Sequence, residues 1–246
     1  MSMKRVAVCQ SNYIPWKGYF DLIHDVDLFV FYDDVQFTKN DWRNRNLVKS
    51  ANGLHWLTIP VGTDLRRRIC DVMLTDPRWQ RKHLKTLEHL YGKAQFFEHY
   101  RGLLEQIYVK REWASLSELN QAVVMTIARQ CLGVTAEFRS SLEFDCHGRK
   151  DERLLGLLRA VGADVYVSGP AAKAYLDPGR FSAAGIEVIW KDYAGYPPYF
   201  QFHSPFEHGV TILDLLFHVG PDAPYFIWGW RVDEDDVGSG AKRRSA

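Results

Sequence analysis

The sequence predicts an α/β fold built on a mainly parallel, Rossmann-like sheet, with strands drawn from both ends of the chain and a helical middle segment. Two observations carry this. Short apolar runs at Val6–Cys9 and Leu28–Tyr32 are joined by a crossover with room for one short helix, which favours parallel pairing. Helix–strand alternation then gives way to apolar residues at three- and four-residue spacing from about 77 to 133, and returns after Phe144. The chain of 246 residues is expected to form a single α/β domain over residues 1–232, with a helical insertion or subdomain at about 77–133. Residues 233–246, where DEDD, Gly-Ser-Gly and Lys-Arg-Arg follow one another, read as a disordered tail.

Element by element, Val6–Cys9 reads as a buried strand. Pro15 then breaks the chain, and Lys17–His24 forms a helix with Phe20 and Ile23 on one face. Asp27–Tyr32 is the second strand, and the alternation in Leu54–Val61 marks another. Trp79–Leu90, Phe96–Tyr108 and Ser115–Leu132 have helical periodicity, the last opened by a Ser115–Glu118 capping box. His83, His89 and His99 share no helical stripe and are expected at surfaces or helix flanks, so no metal ligand set follows from them. Asp151–Val161 is a helix, Asp164–Ser168 a strand, Pro170–Tyr175 a short helix, Gly185–Trp190 a strand and Thr211–Val219 a helix.

Composition narrows the function. A formal net charge of +1 argues against a nucleic-acid coat or a polybasic membrane-surface protein, so any anion site must be local. Cys9, Cys70, Cys131 and Cys146 lie far apart without Cys-x-x-Cys spacing, which fits a reduced, cytoplasmic protein. No stretch approaches the roughly 18 apolar residues of a membrane span. The 14% aromatic share suits either a Phe- and Tyr-rich core or a cleft that stacks on rings.

The candidate site gathers after the first two strands. Gln10, Asn12, Tyr13, Trp16 and Lys17 follow the first; Asp33, Asp34 and Gln36 follow the second; Trp42, Arg43, Asn44 and Arg45 come next. Such a density of hydrogen-bonding and aromatic groups suits a binding cleft. Arg43, Arg45 and Lys49 could project together from an extended stretch and grip a phosphate or carboxylate, with the asparagines suited to sugar hydroxyls. Asp33 or Asp34 could act as general base or hold magnesium through a substrate phosphate; adjacent strand residues point to opposite faces, so one at most faces a given cleft. Ser168-Gly169-Pro170, at the end of a strand and the start of a helix, is a generic anion site, with Lys173 in the first turn and Tyr175 close behind. Cys9 is a candidate nucleophile or inert strand filler. No Gly-x-Gly-x-x-Gly, Walker loop or Gly-x-Ser-x-Gly elbow occurs, and no cofactor follows from the residues.

Gln10–Phe20, Asp33–Phe37 and Trp42–Asn46, with Ser168–Pro170, Tyr175-Leu176, Ile212–Leu216 and Gly220, make the chain resemble the WbqC-like family from about Val6 to Gly220. Ser11 departs from the proline usual there, and Cys9 stands where members often carry another residue. The resemblance implies a bacterial protein of gene clusters for O-antigen and related surface or secondary-metabolite sugars. It supplies no reaction. The residues and the resemblance together lead to a transferase moving an acyl or aminoacyl group to a nucleotide-activated or carrier-bound amino sugar, with biosynthetic partner enzymes. The alternatives are a non-catalytic sugar- or carrier-binding accessory protein, or a nucleotidyltransferase-like enzyme using ATP.

Overall fold

The computed structural model describes residues 3–231, so the tail expected at 233–246 lies outside the described residues. Five strands form one parallel sheet: β1 (Arg5–Cys9), β2 (Leu28–Phe31), β5 (Glu137–Ser140), β6 (Val165–Ser168) and β7 (Glu187–Trp190). Their spatial order is β5-β2-β1-β6-β7, and every neighbouring pair is parallel. The chain builds outward from β1 on one side and then crosses back to its other side at β6. That reversal makes a topological switch point between β1 and β6, where open α/β sheets bind ligands beyond the strand carboxyl ends. A separate antiparallel hairpin, β3 (Arg45–Ser50) with β4 (Gly53–Thr58), follows β2.

Alternation along the strands sends side chains into two cores. Ala7, Phe29, Phe31, Val165 and Val167 belong to the larger one, with α1 (Lys17–His24), α2 (Arg78–Tyr91), α3 (Arg101–Tyr108), α4 (Leu116–Thr126) and α7 (Ile212–Val219). Val6, Leu28, Val30 and Tyr166 belong to the smaller one, under α5 (Asp151–Ala160) and α6 (Pro178–Ser182). Helices therefore cover both faces, as an all-parallel sheet requires.

The departures from expectation have local causes. β5 and the five-residue α6 were not anticipated; Glu137-Phe-Arg-Ser140 is too polar to read as a strand and lies at the sheet edge, where half its backbone is free of neighbours. The third middle helix changes to a π turn at Ile127–Cys131. Its capping box is half formed: the Ser115 hydroxyl accepts the Glu118 N–H at 3.2 Å, but the Glu118 carboxylate turns to the Ala114 N–H and Arg111. His83 is buried, not superficial. Its Nδ1 lies 2.8 Å from the Tyr13 hydroxyl, and burial pulls the imidazole down to about 4.

One buried ionic knot ties α1 to the segment after β7 and to Arg231. Asp21 on α1 receives Lys191 at 2.8 Å, the Arg231 guanidinium at 3.0 and 2.7 Å, and the Tyr196 hydroxyl. Removing the carboxylate would leave Lys191 and Arg231 short of a partner. Asp21→Ala is predicted to cost about 3–5 kcal/mol in chemical denaturation, the range for breaking a buried ion pair from one side. Tyr196→Phe, which leaves the ions paired, should cost about 1 kcal/mol.

Candidate functional site

The segment leaving β1 sets the site, and it is held in a path its residues do not favour. Ile14 has φ +36°, a left-handed value that a β-branched residue adopts only under restraint. The restraint is visible. The Asn46 amide donates to the Tyr13 and Ile14 carbonyls, both at 2.9 Å, and the Thr211 hydroxyl donates to Ile14 O at 2.8 Å. Upstream, the Ser11 N–H donates to Asp33 Oδ1 at 2.8 Å.

The two aspartates divide as alternation requires. Asp33 is fully buried; its second oxygen receives the Ser117 hydroxyl and, at 2.8 Å, the Gln121 amide, both on α4. Its carboxylate joins β1, β2 and α4 and does not face a cavity. Asp34 does. It receives the Ser141 hydroxyl at 2.8 Å and an ion pair from Arg153, on the wall of a cavity of about 730 Å³.

That cavity opens at the carboxyl ends of β1 and β2, reaches Tyr166 on β6, and is within the size of small-molecule sites. Cys9, Gln10, Asp34, Gln36 and Tyr175 line it, together with Tyr32, Arg149, Lys150, Asp151 and Arg153, none of which the sequence reading singled out. Tyr175 is 73% exposed. The Gln36 amide donates to Leu65 O at 3.1 Å. Burial pushes the Cys9 thiol up to about 11, against the opposing field of Arg43, so at neutral pH it is a thiol and a poor nucleophile.

A second cavity of about 340 Å³ is lined by Asn12, Pro15, Trp16, Trp42, Asn46 and Gly209. Asn12 Oδ1 is buried there without a hydrogen-bond partner. Trp16 folds back over the start of α1, so close that a Cβ on Gly18 would stand 2.3 Å from the indole; glycine is required by this approach. Tyr193 meets Trp16 edge-on, with ring centres 5.2 Å apart. Gln10 lines the larger cavity and Asn12 the smaller, two residues or about 7 Å of extended chain apart.

Other expected residues sit elsewhere. Tyr13 is in the core, its hydroxyl 2.7 Å from that of Tyr108 and its ring edge-on to Trp79, so it is no ring platform. Arg43 and Arg45 do not converge. Arg43 pairs with Asp41 at 3.2 Å and its charge is felt at Cys9 and Tyr175, whereas the Arg45 guanidinium lies 4.0 Å over the Trp56 ring on the hairpin. Lys49 is buried and donates to Gln201 at 2.8 Å. The Asn44 amide donates to Ile59 O at 2.9 Å. The segment after β6 is a five-residue 3₁₀ helix, Pro170–Ala174, too short for a helix-terminus anion site. Gly169, at φ −66° and ψ 153°, has a backbone any residue adopts, and Ser168 donates to the Tyr166 hydroxyl at 3.2 Å. Lys173 is exposed, with its ammonium 5.8 Å from the Trp190 ring. Among the described residues no three His, Cys, Asp or Glu side chains form a metal-holding group.

Lys17 is the unusual cation. It is 2% exposed, its Nζ has no hydrogen-bond partner, and the Tyr196 and Tyr199 rings lie 4.8 and 5.5 Å away. Burial pulls its ammonium from 10.5 down to about 8, against the attraction of Asp21. The unfolded chain therefore binds more protons between those values, and this group makes stability rise as pH climbs from about 8 to 10.5. Lys17→Met should abolish that rise, on the order of 3 kcal/mol at about 1.4 kcal/mol per unit. Denaturant titrations at pH 7 and 10.5 check this; parallel profiles for both proteins would contradict it.

No helix among the described residues is long and apolar enough to cross a membrane. The chain is 42% identical over 227 residues to the uncharacterized protein Rv1507c of Mycobacterium tuberculosis, an alignment covering 92% of this chain and 98% of that protein. A sequence model of the WbqC-like protein family matches residues 10–225, which include the smaller cavity, all of the larger one's lining except Val8 and Cys9, the hairpin and the clamped segment. This chain belongs to the WbqC-like protein family.

Proposed function

We propose that the protein is a transferase of bacterial surface-polysaccharide or secondary-metabolite sugar biosynthesis, which moves an acyl or aminoacyl group onto the amine of an activated amino sugar. The observation that carries this reading is the pair of cavities lined from one short segment, the larger one carrying charged side chains of both signs, the other walled by tryptophans. Two cavities of different chemistry lined from one segment suit a reaction with two substrates.

The larger cavity takes the activated sugar, with Gln10, Gln36 and Tyr175 on its hydroxyls. Trp16 and Trp42 enclose the acyl or aminoacyl part, and the orphan Asn12 oxygen accepts a hydrogen bond from it. The sugar nitrogen attacks the acyl carbonyl carbon. A C–N bond forms, the bond from that carbon to the donor's leaving group breaks, and the leaving group departs with its electron pair. Asp34 accepts the proton lost by the attacking amine and returns it to the leaving group. Asp33 holds the segment that carries Gln10 and Asn12.

The high thiol pKa of Cys9 and the pairing of Asp34 with Arg153 favour one other reading, a protein that binds the intermediate and presents it to a partner enzyme. Incubation with nucleotide-linked amino sugars and acyl or aminoacyl donors, followed by mass spectrometry, separates the two. The transferase reading predicts an amide product. Asp34→Asn should slow its formation about 10²–10⁴-fold, the usual contribution of a general base, with sugar affinity within a few-fold. Trp16→Ala should raise the donor KM and leave sugar affinity unchanged. Sugar binding with no product from any donor class would favour the presenting protein.

A further inference from the structure

We propose that the loop from Gly148 to Arg153, where α5 begins, is a binding site for the diphosphate of the activated sugar. The inference rests on the reading of the larger cavity as the sugar's site and adds to it the chemical form of the activation.

Three cations, Arg149, Lys150 and Arg153, lie within five residues, and all three line that cavity. Arg149 and Lys150 are exposed, and no ion pair holds either side chain among the described residues. Arg153 is committed on one edge of its guanidinium to Asp34, while its Nε is buried without a partner. A second acceptor would complete that fork. The ten-residue helix α5 starts inside the same loop, and its N-cap, Lys150, offers no side-chain hydrogen bond to the first turn. The Glu152 N–H is taken by Arg149 O at 3.2 Å, so what the helix start offers an anion is the remaining uncapped N–H groups of that turn.

Opposing charges are present and limit the choice of ligand. Asp34 and Asp151 line the cavity and Glu152 stands in the same loop beside Gly148; Asp34 is paired with Arg153, and one Asp151 oxygen lies 4.0 Å from Arg180. Arg149 and Lys150 are the two cavity cations that no ion pair holds among the described residues, free to turn to a group with two or more negative charges. A carboxylate would engage one of them, whereas a diphosphate spans both. The hairpin's Arg45 does not compete for it, since it lies on Trp56, and Arg43, held by Asp41, adds positive field at Cys9 and Tyr175 on the cavity wall.

The shared chemistry has two sources, a nucleoside diphosphate and an isoprenoid carrier diphosphate. Calorimetric titration of the full chain at low salt, with inorganic pyrophosphate, UDP and geranyl diphosphate as probes, tests the site and separates the sources. We expect saturable pyrophosphate binding that weakens steeply with salt. It should weaken at least tenfold in Arg149→Ala/Lys150→Ala, a variant of two exposed side chains whose fold circular dichroism can verify. Arg149→Glu alone should weaken it further than Arg149→Ala, and Lys110→Ala, remote from the cavity, should leave it within twofold. Tighter binding of UDP than of geranyl diphosphate assigns a nucleotide, and the reverse a lipid carrier. Absence of saturable binding by all three probes, or a double variant within twofold of the parent, would overturn the site. Failure here is distinguishable from failure of the transferase reading: intact pyrophosphate binding without amide product sinks only the latter, and amide product without diphosphate binding sinks only the former.

Discussion

The carboxylate of Asp33 is the constraint on which the site depends. It lies just beyond β2, yet it accepts from the backbone of the segment leaving β1 and from two side chains of α4. Three parts of the chain distant in sequence therefore meet at one buried charge. Such a charge is tolerable only when donors satisfy it, and the donors are buried with it, so neither side can move without loss. Just downstream, Asn46 and Thr211 complete the restraint by gripping the strained Ile14. Gln10, Asn12 and Trp16 are presented from a pinned track.

Asp34, one residue on, shows how the same chemistry serves another end when its environment changes. Asp33 meets an amide N–H, a hydroxyl and a carboxamide; Asp34 meets a hydroxyl and a guanidinium at a cavity wall. The sheet topology supplies the difference. β1 ends beside β6 at the switch point, so residues just past β1 and β2 fall either into the helical layer that holds α4 or into the opening beside α5. Trp16 then turns over Gly18 and walls the smaller cavity, whose Asn12 lies two residues along the chain from Gln10 of the larger one.

Much of the fold was legible because burial writes itself in local patterns. Val6–Cys9, Leu28–Phe31 and Val165–Ser168 are apolar runs with abrupt polar ends, and Lys17–His24 has a helical stripe beginning just after Pro15. The edge strand Glu137–Ser140 had no such pattern, since an edge needs little apolar surface. The site was legible as a concentration of residues but not as roles. Tyr13 finds His83 and Tyr108 across 70 and 95 residues, a partnership that no local spacing reveals. Arg43 and Arg45 seemed aligned on an extended stretch, but β3 begins only at Arg45, so the two-residue alternation does not reach back to Arg43. The cations at 149–153 were passed over because a charged run before a helix also describes a solvated helix start; only the fold brings them to the opening beyond β1.

The proposed activity requires a sugar carrying an anionic activating group to lie across the carboxyl ends of β1 and β6. A crystal structure of the protein with a nucleoside diphosphate amino sugar tests it most directly. The ligand is expected between Gln10 and Tyr166, its sugar within hydrogen-bond reach of Asp34 and its diphosphate over Arg149 and Lys150. A ligand seated instead against the hairpin at Arg45 and Trp56, with the β1–β6 opening empty, would contradict it.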